Sequence, residues 1–281
     1  MPAIVIHGIA SAAYLVLAWH FWNTRWRRGA SLQAVRGWER AAVVIPLLLH
    51  AGLLYSDLFA AAEPRFGFAQ ALSVMMALAL LVCWLEALAY PIEAVFPLVL
   101  LAAAICAPLP VFFAGRPLPE ATNFEFRLHL VFGMLAYSLF TVATLHAVLI
   151  SQVEHRLHGK PGLDGPFSHL PPLLSLERLV FILIAAAFTV LSVTLVLGIA
   201  YSESFLGRAM RFEHKTVFVF LSWGIFGLLL AGRWLYGWRG RTALRWTITG
   251  FVVLMLAYPG SRFVLEVLLH RALWTSFRCR G

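Results

Sequence analysis

Polar residues in this chain fall between long apolar runs and hardly inside them. The runs neither alternate as a half-buried strand would nor show the one-sided stripe of a surface helix. Eight can be drawn: 3–22, 41–60, 69–88, 92–113, 127–151, 177–200, 214–235 and 245–268. Each is close to the roughly 20 residues a helix needs to cross a bilayer. In lipid the backbone must satisfy its own hydrogen bonds, and continuous apolar runs do so as helices, not as a barrel. The pattern predicts an all-α polytopic membrane protein, a bundle of eight transmembrane helices forming a single domain over residues 1–281.

Small residues recur inside the runs, as in Ala102–Ala104, Ala185–Ala187 and Gly224, Gly227, Gly232. They let helix axes approach closely and point to a packed bundle. The inverted repeats of transporters are not apparent. The first run lacks a preceding basic region and a small-residue cleavage site, so it reads as a retained helix.

Arginines sort between the connections. Arg25, Arg27, Arg28, Arg36 and Arg40 follow the first run, and Arg233, Arg239, Arg241 and Arg245 separate the last two. Short basic loops favour the cytoplasm, which places both termini outside. Composition then fits this picture: 61% of residues are apolar and only 12% charged, against about 25% charged in soluble domains. The net charge of +9 therefore reports topology and not a nucleic-acid partner. The partner implied directly is the lipid bilayer. Cys83, Cys106 and Cys279 show no CxxC spacing and read as packing residues and a tail thiol.

Histidines are the candidate chemistry. His7, His129 and His214 fall near the outer ends of the first, fifth and seventh spans. His50 lies within the second, with Asp57 seven residues on, about 10 Å along one helix face. Gly133 and Ala136 share the face of His129, which suggests a slot of small residues beneath its imidazole. Neutral imidazole is a common axial ligand of haem iron. A helix-end histidine that merely hydrogen-bonds or meets head groups is the rival reading at each of these positions. For His50 the rival readings are a bonded core histidine and part of a polar path with Asp57. The arginines from Arg233 to Arg245, with Trp234, Tyr236, Trp238 and Trp246, fit lipid head groups. No nucleophile triad, phosphate-cradling glycine loop or catalytic carboxylate pair is evident.

Several segments together resemble the cytochrome c assembly family of the CcsA and HemX type. They are His129 through Tyr137, Pro171 through Arg178, His214-Lys215-Thr216 with Ser222-Trp223, Gly232 through Arg241, and Ala257 through Arg262. The resemblance implies an inner-membrane, haem-binding or haem-handling protein that assists cytochrome c assembly, alongside other haem-handling or assembly proteins. It implies haem as cofactor. His129 resembles a histidine position of the family pattern, whereas His214-Lys215-Thr216 stands where larger members have a tryptophan-aspartate-proline-lysine stretch. With the shared depth of the imidazoles, the expectation is His129 and His214 as iron ligands, with His50 and His7 in reserve. Larger members carry a tryptophan-rich WWD segment; this chain has neither that segment nor a CxxCH motif. The expectation is thus a non-enzymatic member without ligase activity. Alternatives are a cofactor-free accessory subunit linked to divalent-cation transport, and a membrane regulator of haem synthesis acting through residues 152–176.

Overall fold

The computed structural model describes residues 3–27, 37–60, 64–90, 92–118, 123–157, 173–206 and 214–268. Helix α1 spans Ala3–Phe21 and continues as π-helical turns over Trp22–Arg27. Helix α2 spans Gly37–Tyr55, with π-helical turns over Ser56–Ala60. Helix α3 covers Phe68–Ala89. Helices α4 (Phe96–Cys106) and α5 (Leu109–Phe112) together form one shorter span. The long helices α6 (Phe124–Leu157) and α7 (Leu173–Leu206) have 34 residues each. Helix α8 is His214–Tyr236 and α9 is Gly240–Met255; α9 runs on through π-helical turns and the short α10 (Ser261–Phe263) to Leu268.

Seven of these segments are long and apolar enough to cross a membrane, and Phe96–Phe112 is the shorter eighth. The expected polytopic helical bundle is therefore what forms. The fourth span breaks where Pro108 follows Ala107, because proline cannot donate the hydrogen bond that would continue the helix. Both long helices overrun the expected 127–151 and 177–200, so part of the expected 152–176 loop is helical. Residues 158–172 of that loop lie outside the described residues, as do Phe212, Glu213 and His270.

Contacts define the two ends of the bundle. At the end where α1 begins, His7 lies beside Ala107 and Asp57, and Arg127 sits over the Phe59 ring. A short antiparallel ribbon pairs β1 (Arg65–Phe66) with β2 (Arg116–Pro117) there. The sequence reading did not foresee it. Two residues per strand carry no periodicity signal. At the other end, which carries most of the arginines, Arg25 and His20 both bond Glu39 at 2.8 Å.

The bundle has two halves. Helices α1 to α4 pack on one side, and α6 to α9 on the other, where Phe140 stacks on Phe226 with ring centroids 3.9 Å apart. The α3–α6 contact joins them. Buried in that seam, His146 Nδ1 donates to the Val142 carbonyl at 2.9 Å while Nε2 faces Glu86 Oε2 at 3.7 Å. His146 Nε2 and both Glu86 carboxylate oxygens have no hydrogen-bond partner among the described residues.

Candidate functional site

The four sequence-designated histidines divide between the halves. His7 and His50 belong to the α1–α4 half, His129 and His214 to the α6–α9 half. His7, His129 and His214 do lie towards the same end, as their positions in the sequence suggest. No hydrogen bond or ring contact joins the imidazoles of His129 and His214 among the described residues.

His50 is fully buried. Its Nδ1 lies 3.3 Å from the Tyr14 hydroxyl and its Nε2 2.8 Å from Ser73 Oγ. The same tyrosine hydroxyl donates to the Pro46 carbonyl at 3.2 Å. Both ring nitrogens are thus engaged, and the histidine ties α1, α2 and α3 together in the membrane interior. Asp57 pairs with His7 and not with His50: His7 Nε2 is 3.7 Å from Asp57 Oδ2. The π-helical turns beginning at Ser56 change the phase of α2, so the face counted at 3.6 residues per turn does not extend to Asp57. His7 Nδ1 donates to the Ala107 carbonyl at 2.7 Å, a carbonyl set free by the break before α5.

His129 is differently placed. Its Nδ1 is 3.1 Å from the main-chain carbonyl of Thr194 on α7. A carbonyl can only accept, so Nδ1 carries the hydrogen and Nε2 of the neutral ring keeps its lone pair. Nε2 has no hydrogen-bond partner among the described residues. The ring rests on Gly198, where an added Cβ would stand 3.0 Å from His129 Cε1. Glycine at 198 is what allows the imidazole to lie against α7. The slot of small residues expected beneath His129 is occupied by that helix. Ala136 is fully buried, and a Cβ on Gly133 would meet Thr194 Cγ2 at 3.5 Å. Small residues here serve helix contact, and the ring atom of His129 left without a hydrogen-bond partner among the described residues is Nε2.

His214 is exposed as the first residue of α8. Trp223 Nε1 donates to Ser192 Oγ at 2.9 Å, which sets α8 antiparallel to α7 and carries His214 to the same end as His129.

Residues of the segments that carry the family resemblance bond across helices, and Pro171–Arg178 is tied to Gly232–Arg241. Pro259 has no N–H, and the carbonyl of Leu254, five residues back, accepts the Tyr137 hydroxyl at 3.0 Å. Ser222 Oγ donates to the Gly250 carbonyl at 3.0 Å. Glu177 accepts from Gly240 N at 3.1 Å, and Arg233 stands 3.5 Å from the same oxygen. Arg233 also donates to the Trp238 carbonyl and lies over the Phe181 ring. Between them, Gly237 and Gly240 turn the chain with positive φ of 65° and 58°, a region other residues rarely adopt. Thr194, Gly198 and Leu254 could not be singled out beforehand, since helix packing alone makes them partners.

Fold and site together define a polytopic helical membrane protein with a half-buried His129 and an exposed His214 at one end of its second half. Known proteins narrow this further. The family model described as cytochrome C assembly protein matches residues 38–269, and the chain belongs to that family. It is similar to the inner membrane protein YpjD of Escherichia coli K12, 27% identical over 249 residues, covering 84% of this chain and 91% of that protein. An uncharacterized 28.8 kDa protein of Azospirillum brasilense is 33% identical over 164 residues, 58% of each chain. The cytochrome c biogenesis protein CcsA of Prochlorococcus marinus is 30% identical over 108 residues, 38% of this chain and 34% of its own. No solved structure matches. Membrane-length helices and an inner-membrane relative make this chain a multi-pass inner-membrane protein.

Proposed function

We propose that this protein binds or hands on haem in the service of cytochrome c assembly, without joining haem to the cytochrome itself. The observation that carries the reading is the state of His129. Its Nδ1–H is committed to the Thr194 carbonyl, and this is the arrangement that orients a metal-ligating imidazole and raises its basicity. Nε2 is left with a lone pair and no hydrogen-bond partner among the described residues, whereas both nitrogens of His50 are engaged. His129 would hold the iron through Nε2, and His214, exposed at the start of α8, would supply a second imidazole from the same end. His7 remains a reserve ligand and His50 a structural one. Haem, when bound, supplies an iron centre whose redox state the axial ligands tune; the chain's own part is to orient imidazoles and keep the site at the membrane edge.

The arginine-rich end faces the cytoplasm in this reading, by the positive-inside rule, and both termini and the histidine end face outwards. Family membership supports the role in cytochrome c biogenesis. The chain has neither a WWD segment nor CxxCH, which supports assistance and not ligation. The test is made in cells. Deleting the gene should lower covalent c-type cytochrome, and His129→Ala should fail to restore it. Expressing the protein alone in a host without cytochrome c assembly proteins should yield no covalent haem. Normal cytochrome levels in the deletion strain would overturn the assembly role; covalent haem in the bare host would overturn the non-enzymatic part.

A further inference from the structure

The arginine-rich end holds a cavity that the haem reading does not use. It has a volume of about 320 Å³ and lies between the last turns of α6 and the first turns of α9. Ser151, Gln152 and His155 line it from α6, and Arg241 and Arg245 from α9. Leu244 and Ile248 give it an apolar floor.

Among the described residues, basic side chains outnumber acidic ones at this place. Arg239 precedes α9, Arg241 and Arg245 fall in its first two turns, and no acidic residue stands in the first turn. The start of a helix is the positive end of its dipole and ordinarily attracts carboxylates. Here three arginines add to it. The carboxylate in the cavity wall, Glu154, lies 3.9 Å from Arg241. Glu177 is already taken by Gly240 N and Arg233. Arg245 has no carboxylate partner among the described residues. The depth is also informative. Trp234 and Tyr236 are 85% and 77% exposed nearby, as aromatic side chains at head-group level are. A polar, cationic mouth over an apolar floor at that level matches a group that is anionic at one end.

We propose that this cavity binds a phosphate group, with Arg241 and Arg245 as its charged donors and Ser151 and Gln152 as neutral ones. Guanidinium forks match phosphate oxygens geometrically. The phosphate can be that of an anionic phospholipid head group, whose acyl end would lie on Leu244 and Ile248, or a free phosphate.

The experiment uses the full chain in detergent, with bound phosphatidylglycerol counted by native mass spectrometry and phosphatidylcholine as the neutral comparison. The wild type is expected to retain one phosphatidylglycerol in preference to phosphatidylcholine. The double variant Arg241→Gln/Arg245→Gln should hold it about thirtyfold less tightly, at about 1 kcal/mol per lost cation. Gln152→Glu, which breaks no pair on an exposed side chain, should weaken it similarly. Arg239→Gln, outside the cavity, should not. Inorganic phosphate at millimolar concentration separates the sources. If it fails to displace the lipid, the ligand is the head group. If it displaces the lipid and binds with the same dependence on the variants, the ligand is free phosphate. Equal retention in all variants, equal loss in Arg239→Gln and the double variant, or no preference over phosphatidylcholine would each overturn the proposal.

Discussion

The imidazole of His129 lies directly on Gly198: a methyl group there would stand 3.0 Å from Cε1 and 3.3 Å from Nδ1. One residue of α7 thus controls the position of a side chain on α6. Gly198→Ala must push the ring or break its bond to Thr194. The helix itself tolerates alanine, gaining roughly 0.5–1 kcal/mol of intrinsic preference. Gly198→Ala is therefore expected to fold with near-normal thermal stability, to bind haemin more weakly and to show altered axial-ligand absorption. Gly198→Leu should lose the signature entirely. Unchanged haemin spectra in both variants would separate His129 from the iron.

Tyr137→Phe is expected to destabilise the protein without touching the histidines. It strips the Leu254 carbonyl of its hydroxyl donor, at a place where Pro259 offers no N–H. Losing this buried hydrogen bond, with the Leu254 carbonyl still accepting from Leu256 N, costs about 0.5–1.5 kcal/mol. Thermal unfolding in detergent measures it, and an unchanged Tm would contradict this role for the bond.

The Glu86–His146 pair gives a different signature. His146 is fully buried and Glu86 half-buried; they face each other at 3.7 Å, and His146 Nε2 and the Glu86 oxygens lack hydrogen-bond partners among the described residues. Removing one of them leaves the other stranded in an apolar seam, whereas removing both removes the problem. Glu86→Leu and His146→Leu should each destabilise by roughly 2 kcal/mol, and the double variant by less than their sum. Additive losses would show that the two groups do not act on one another.

Glu177 holds the turn between α8 and α9 through Gly240 N and Arg233. Glu177→Ala should expose that turn, so trypsin is expected to cut after Arg233, Arg239 or Arg241 several-fold faster. Glu177→Gln keeps an acceptor for Gly240 N and should be cut at an intermediate rate. Identical cleavage in all three proteins would leave the turn held by its glycines alone.

Much of the fold is legible in the sequence because lipid imposes one rule, a span of about 20 apolar residues, on every helix. Where that rule is silent the reading falls short. It does not show the break at Pro108, the short β1–β2 ribbon, or the extension of α6 and α7 beyond the hydrophobic core, since polar residues such as Glu154 carry no span signal. The histidines are visible as residue types, and their sorting to one end follows from counting spans. What separates them is partner geometry. His50 meets Tyr14 and Ser73, 36 and 23 residues away, and His129 meets Thr194, 65 residues away. Those partners are chosen by helix packing, which no local pattern encodes.

The claim that His129 presents a free Nε2 to haem iron is tested most directly by haemin titration. Detergent-purified wild type, His129→Ala and His214→Ala are compared in the Soret region under identical conditions. The expected result is saturable uptake by the wild type with the spectrum of an imidazole-ligated low-spin haem, at least about tenfold weaker binding in His129→Ala, and an altered spectrum in His214→Ala. A wild type that takes up no haemin, or a His129→Ala protein that binds it with the wild-type spectrum and affinity, would contradict it.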